Sequence, residues 1–257
     1  MCIRDRYKDT GLIFAGELFM AKSTNGVPGA LNGPINVPSL QITPPTTEVR
    51  NRPSFQPENY GQALDVVNVP ADPTQVTLQF DSLPAELLAE ALGGTMEAHT
   101  VAGDSVTGET LTLEHGKWVK LAHANIDMEA PNAPVITNTA TTTELVAGTD
   151  YEIHAAGGLI KALKQDAAVE VTAEYTYLAE AGQKILGGTE IEKPRYIELL
   201  GKNLATGKRG RLYIWEGRLN ANQAMDMMQN EFVTGQLGGQ LRTPPGKTSP
   251  FEFIELD

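Results

Sequence analysis

Cysteine is almost missing from this chain: its 257 residues include one, Cys2. That count excludes a disulfide framework within the chain and a cysteine-rich zinc site. No stretch approaches the roughly 18 consecutive apolar residues that a membrane-spanning helix requires. Positive charge is the minority sign, with 20 Lys and Arg against 32 Asp and Glu, a formal net charge of −12. Proteins that grip nucleic acid do so by displacing counterions with Lys and Arg, so this acidic chain is a poor candidate for that task. What is plentiful is glycine and proline, 25 and 16 residues, in a chain that is 41% apolar. Disordered chains are poorer in apolar residues, so this is a globular composition. The length suits one large β domain, or two smaller ones, with a real core.

The signatures of chemistry are missing too. There is no G-x-x-x-x-G-K-[ST] loop, no G-x-G-x-x-G opening a helix, no H-E-x-x-H, no G-x-S-x-G elbow and no calcium loop. His99, His115, His123 and His154 share no metal-ligand spacing, so each is expected to be a surface or strand-packing residue. Gly182-Gln183-Lys184-Ile185-Leu186-Gly187-Gly188 is glycine-rich without a phosphate-binding pattern and reads as a linker. Lys202, Lys208, Arg209 and Arg211 are the one basic concentration, read as a phosphate-binding patch or as a hairpin whose cations meet an acidic neighbour. Chance carboxylate pairs such as Glu190 and Glu192 carry no weight in so acidic a chain. No catalytic residue, metal site or cofactor is expected.

The first nineteen residues stand apart. Met1-Cys2-Ile3-Arg4-Asp5-Arg6 matches the translation of a transposon adapter end used in sequencing libraries, so residues 1–19 are expected to be a non-native scar with upstream translation. Met20 then opens the natural chain. The rival reading is a signal peptide, with Arg4, Arg6 and Lys8 before Leu12-Ile13-Phe14-Ala15, although Glu17 interrupts the apolar stretch. Trimming removes as many acidic as basic residues (Asp5, Asp9 and Glu17; Arg4, Arg6 and Lys8), so the net charge is unaffected.

Residues 20–59 read as an extended, proline-rich arm, since Pro28, Pro34, Pro38, Pro44, Pro45, Pro53 and Pro57 preclude a long helix. Its apolar pieces, such as Leu40-Gln41-Ile42, imply docking on its own domain or on a neighbouring copy. Ala63 to Val69 is largely apolar and β-branched. Gln75 to Phe80 alternates strictly, with Val76, Leu78 and Phe80 on one face, the mark of a half-buried strand. One helix follows, with Ser82 as cap, Pro84 in the first turn and Gly93-Gly94 at the end. Leu83, Leu87, Leu88 and Leu92 form its packing stripe, so Leu88→Asp is expected to detach it. Residues 100–181 form a strand-rich segment of sandwich-like spacing. Residues 182–257 return to longer strands, with 201–208 a long hairpin loop, Ala221 to Met228 a short helix or loop, and Glu231 to Leu241 a glycine-punctured strand.

Several pieces resemble, in order, the major tail tube protein of long, non-contractile-tailed (siphovirus-type) bacteriophages. They are Val76 to Gly94, Gly116 to Ile126, Leu145 to Ile153, Leu199 to Lys208 followed by Ile214 to Leu219, and Thr243 to Phe251. The resemblance spans about residues 47–257. It implies a mainly β fold: a tail-tube β-sandwich, 60–99 and 182–257, with one packed helix and an inserted immunoglobulin-like segment, 100–181. It further implies hexameric rings stacked into a tube that conducts DNA during ejection, in the virion tail after assembly in the host cytoplasm. The implied partners are other copies of the chain and the tail tip, tape measure and tail terminator proteins, with no membrane and no specific DNA binding. Under that resemblance Asp65, Glu190, Glu192, Glu198 and Glu231 are candidate acidic groups facing the lumen, and Lys202, Asn203, Lys208 and Arg209 a candidate inter-subunit hairpin. Two other readings stand beside it. One is a different virion β-sandwich, a tail terminator or decoration protein. The other is a carbohydrate-binding or adhesin module in which Trp118, Tyr151, Tyr175 and Tyr177 supply stacking platforms.

Overall fold

A computed structural model describes residues 10–190 and 192–256. The hexapeptide Met1–Arg6 lies outside the described residues. The chain divides into two compact units, Met1–Met96 with Ile185–Asp257, and Glu97–Lys184. The fold is mainly β, with one α-helix among the described residues.

In chain order the first unit supplies β1 (Phe14–Thr24), β2 (Val27–Pro28), β3 (Asn32–Ile35), β4 (Ser39–Thr43), β5 (Thr47–Pro53), β6 (Ala63–Pro70), β7 (Gln75–Phe80) and α1 (Ala85–Ala91). The chain then runs through β8 (Thr95–Val101), β9 (Asp104–Thr112), β10 (Val119–Lys120), β11 (Val135–Asn138), β12 (Tyr151–His154), β13 (Leu159–Ala162), β14 (Glu170–Tyr177) and β15 (Glu180–Leu186). It returns with β16 (Lys193–Asn203), β17 (Arg209–Ala221), β18 (Gly235–Leu241) and β19 (Phe251–Leu256).

A nine-stranded sheet organises the first unit, in the order β2-β1-β16-β17-β18-β7-β4, with β19 also beside β17 and β3 beside β1. Strand β17 is shared. Its first half, Arg209 to Ile214, pairs with β19, and its last five residues, Gly217 to Ala221, pair with β18. Alternation then decides which side chains meet. Met20, Ile197, Ile214 and Phe251 form one row across β1, β16, β17 and β19, and Leu40, Leu78 and Leu237 form another across β4, β7 and β18. Both rows belong to one core, with Val76, Leu78 and Phe80 fully buried as the period-2 pattern requires. Between Ile214 and Gly217, where β17 changes partner, lies Glu216, buried. Its Oε1 accepts from the Arg242 guanidinium at 3.1 Å, and the Arg242 backbone N–H donates to its carbonyl at 2.9 Å.

At the other end of the sheet Gly16, Gly201 and Gly210 stand in register on three adjacent strands. A Cβ on Gly16 would lie 2.3 Å from the Leu200 carbonyl oxygen, and one on Gly201 would lie 2.2 Å from that of Ala15. The strands therefore approach too closely for any side chain, and Phe14 covers the gap, meeting Phe253 edge-on at 6.0 Å.

Helix α1 differs in detail from the expected one. Its N-cap is Pro84, with no side-chain cap; Ser82 is exposed and takes no part. Its end follows the left-handed rule: Gly93 has φ +57°, and the N–H groups of Gly93 and Gly94 reach the carbonyls of Glu90 and Ala89. Leu87 and Ala91 enter the core, with Leu83 packed against it. Leu88 and Leu92 are half-buried and lie outside that cluster. Glu90 is largely buried and accepts from Arg195, with the Lys193 ammonium 3.7 Å away. The helix is thus tied to β16 by charge and to the core by apolar contact.

The second unit has two three-stranded sheets, β11-β14-β9 and β10-β13-β12, around a core that includes Leu113, Ile136, Ile160, Val171 and Tyr175. The Tyr175 hydroxyl donates to Glu109 Oε2 at 2.5 Å and accepts from the His123 N–H at 3.3 Å. Burial first, then the Glu109 carboxylate, hold that phenol well above the ordinary tyrosine range.

Residues 14–19, expected to be part of a non-native scar, lie in the first unit, where β1 begins at Phe14 and Leu18 is 0% exposed. Residues 20–59, expected as an extended arm docked on its own domain or on a neighbouring copy, complete β1 and supply β2 to β5, with β4 joining the main sheet. Two expectations are corrected. The 182–188 stretch is mostly strand β15 rather than a linker, because glycine at 182 is tolerated in a two-stranded pair, β15-β8, open on both edges. The hairpin loop after β16 spans only 204–208, since pairing continues through Lys202 and Arg209.

The helix contacts generate a discriminating prediction. Leu87→Asp places an unpaired carboxylate in the core and is expected to cost about 3 kcal/mol or more. Leu88→Asp, half-buried, is expected to cost clearly less. Urea unfolding followed by circular dichroism measures both; equal losses would refute this placement of the helix face.

Candidate functional site

Among the described residues no group of three His, Cys, Asp or Glu side chains is arranged to hold a metal ion. The histidines have local structural partners. His115 meets the Leu163 carbonyl at 3.2 Å, His154 Nδ1 accepts from the Gly157 N–H, His99 lies 3.5 Å from Glu180, and His123 stacks on Tyr177 with ring centroids 3.9 Å apart. The four aromatic residues proposed as stacking platforms do not form one. Tyr151 and Tyr175 are buried in the core, Tyr177 is taken by His123, and the exposed Trp118 ring has the Lys161 ammonium 4.3 Å from its centroid.

The five candidate lumen carboxylates are likewise scattered, and three are matched by cations. Asp65 pairs with Arg52 at 2.6 Å, Glu190 with Lys193 at 3.1 Å and Glu192 with Arg218 at 3.0 Å. Glu198, on β16, accepts from the Tyr196 hydroxyl, and Glu231 sits in the exposed 222–234 loop.

The candidate hairpin residues divide as well. Lys202 and Arg209 face each other across β16 and β17 and are exposed. Lys208 pairs with Glu255 at 3.1 Å. Asn203 is buried and works within its own chain: its Oδ1 accepts from the N–H groups of Ile13 and Ala205, and its Nδ2 donates to the Gly11 carbonyl.

The least self-sufficient feature was only half visible in the sequence. Among the described residues, strands β5 and β6 pair with each other and with no other strand. Their register sets Val49 against Asn68, Asn51 against Val66, Arg50 against Val67 and Arg52 against Asp65. Because strand residues alternate, Val49, Asn51, Val66 and Asn68 share one uncharged face, with Leu64 at the bulge where the register shifts. The other face carries Glu48, Arg50, Arg52 and Asp65, with Val67 and Val69. Every residue of the ribbon except Val69 is exposed, Val66 at 62%. The turn is nevertheless well made: Ser54, buried, donates to Asn59 and accepts from the Gln56 N–H, and Gly61 has φ +81°. Phe55 and Tyr60 meet edge-on at 5.8 Å at the tip, exposed at 75% and 70%. A second apolar exposure lies in the loop before β18, where Met228 and Phe232 are 94% and 93% exposed. The alternation in Thr47 to Arg52, followed by Pro57-Glu58-Asn59-Tyr60-Gly61, was the available signal for the hairpin.

Residues 12–251 match a family described as "Protein of unknown function UCP028589". The chain belongs to that family. The match takes in strand β1, the β5–β6 ribbon and the whole second unit. No curated protein matches the chain.

The placement of Asn203 makes a test. Asn203→Ala leaves two backbone donors and a carbonyl without their partner and is expected to cost about 1–3 kcal/mol. A thermal shift near zero would instead assign Asn203 to the surface.

Proposed function

We propose that this protein is a structural virion protein that assembles with copies of itself into the stacked hexameric rings of a phage tail tube, a conduit for DNA during ejection. The observation that carries this reading is the amphipathic β5–β6 ribbon. An isolated two-stranded ribbon is marginal in water. Here one face offers Val49 and Val66 to solvent, and among the described residues nothing covers it. Burying each such side chain against a neighbour is worth on the order of 1.5–3 kcal/mol. Repeated in every copy, that gain is the kind that holds a polymer together. The open edge of β4 adds a second route, since an unpaired strand edge pairs readily with another chain unless something blocks it. The ribbon lies within the stretch that resembles tail tube proteins, and β4 lies just before it. The function is mechanical rather than catalytic, and the further partners are the tail tip, tape measure and tail terminator proteins. Its place is the virion tail, after assembly in the host cytoplasm.

Negative-stain microscopy of concentrated protein is expected to show tubes or six-fold rings. The variant Val49→Asp/Val66→Asp changes exposed positions only, so monomer stability should move by less than about 0.5 kcal/mol per site, while tubes disappear. Tubes persisting in that variant would remove the ribbon from the assembly, and a wild-type protein that stays monomeric at all concentrations would refute the reading.

A further inference from the structure

The outer face of the main sheet divides by charge. Strands β4, β7 and β18 are hydrogen-bonded neighbours of five, six and seven residues, and none of the eighteen is charged. In a chain that is 20% charged, about three or four charged residues would fall there by chance. Their inward side chains are core, as described above. Their outward side chains form amide and hydroxyl rows: Thr43, Gln75 and Gln240 across the three strands, then Gln41 and Thr77, then Ser39, Gln79 and Gln236. All are half-buried or exposed. Opposite Gln240, where the surface passes to β17, stands Arg218. It is matched by Glu192 at 3.0 Å and lies 3.7 Å from buried Glu216.

We infer that this uncharged amide face lines the bore and is the surface past which duplex DNA slides, a conclusion that rests on the tube reading above. The physical requirement is low friction along a polyanion. Duplex DNA presents one charge per about 1.7 Å of its axis, and each phosphate met by Lys or Arg gains counterion-release energy that holds it in place. A wall of carboxylates repels, but over a reach of only ~8 Å at physiological salt. Glutamine and threonine do neither. They exchange hydrogen bonds with water or phosphate at nearly equal cost, so no position along the wall is a trap. The cation-matched carboxylates Asp65, Glu190 and Glu192 fit this, since their charge is already answered within the chain.

The test uses assembled tubes in a Cys2→Ser background carrying Gln240→Cys. Before assembly the new thiol should react both with a small maleimide and with a maleimide coupled to a globular protein. In tubes it should keep the small label and lose the large one, because only the small reagent diffuses into the bore. Labelling by the large reagent in tubes places the face outside, and protection from both places it in a contact between copies. Either result overturns the inference while leaving the tube intact. Failure of the unlabelled protein to form tubes removes the tube reading and the inference with it. As a second readout, tubes of Gln75→Lys/Gln240→Lys should retain linear duplex DNA at low salt and release it as salt rises, where wild-type tubes retain none. Equal retention by the two would overturn the sliding-surface assignment.

Discussion

Strand β17 is the constraint on which the rest of the first unit depends. It is the one strand that joins the β1-β16 side of the sheet to both β19 and β18, so the two rows of core side chains meet along it. The change of partner leaves backbone and side-chain groups near Glu216 that neither β19 nor β18 can satisfy. The chain answers with Arg242, which engages the Glu216 carbonyl through its own N–H and the carboxylate through its guanidinium. A buried carboxylate is costly unless hydrogen-bonded and paired, and Glu216 Oε2 has no protein partner. The pair therefore does more to fix where β18 ends and the sheet turns than to add stability. The glycine line at Gly16, Gly201 and Gly210 acts at the opposite end, setting how closely β1, β16 and β17 approach.

This arrangement explains why the unit is both well packed and incomplete. Its core is closed by residues far apart in sequence: Leu18 near one end, Phe80 before the helix, Ile197 and Leu237 after the second unit. Among the described residues none covers the β5–β6 ribbon or pairs with the outer edge of β4. A monomeric protein usually blunts such features with charge or bulges. Here charge is present on only one face of the ribbon, so the bare face is a positive feature of the sequence rather than a failure to protect it.

How much of this was legible in the sequence depended on whether the signal was local. The strand Gln75 to Phe80 and the cap at Gly93-Gly94 were legible because alternation and a left-handed turn are written into consecutive residues. The helix stripe was read too wide: Leu83, Leu87 and Ala91 are spaced four apart and face the core, while Leu88 and Leu92, equally apolar, stop half-buried at its margin. Which of two adjacent leucine rows turns inward is decided by β17 and β18, not by the helix. The strands of the arm were missed for a related reason. Prolines at 28, 34, 38 and 44 do preclude a long helix, but they sit at the ends and edges of short strands, where a missing N–H costs little. The pairing of β1 with β16, across about 180 residues, has no local signature at all.

Charge was the least transferable signal. A net charge of −12 described the chain correctly and located nothing, because carboxylates at 65, 190 and 192 were drawn into pairs with nearby cations. The informative quantity was where charge stops. A composition cannot show that β4, β7 and β18 are adjacent, and each strand alone is too short for a lack of charge to mean anything. Placed side by side by their register, the three become a continuous uncharged surface, and the acidity of the rest of the chain is what makes that surface stand out. In the proposed tube the carboxylates were the candidates for the bore; these three strands offer an uncharged surface in their place, and on that proposal a wall without Lys or Arg has no position at which a phosphate is held.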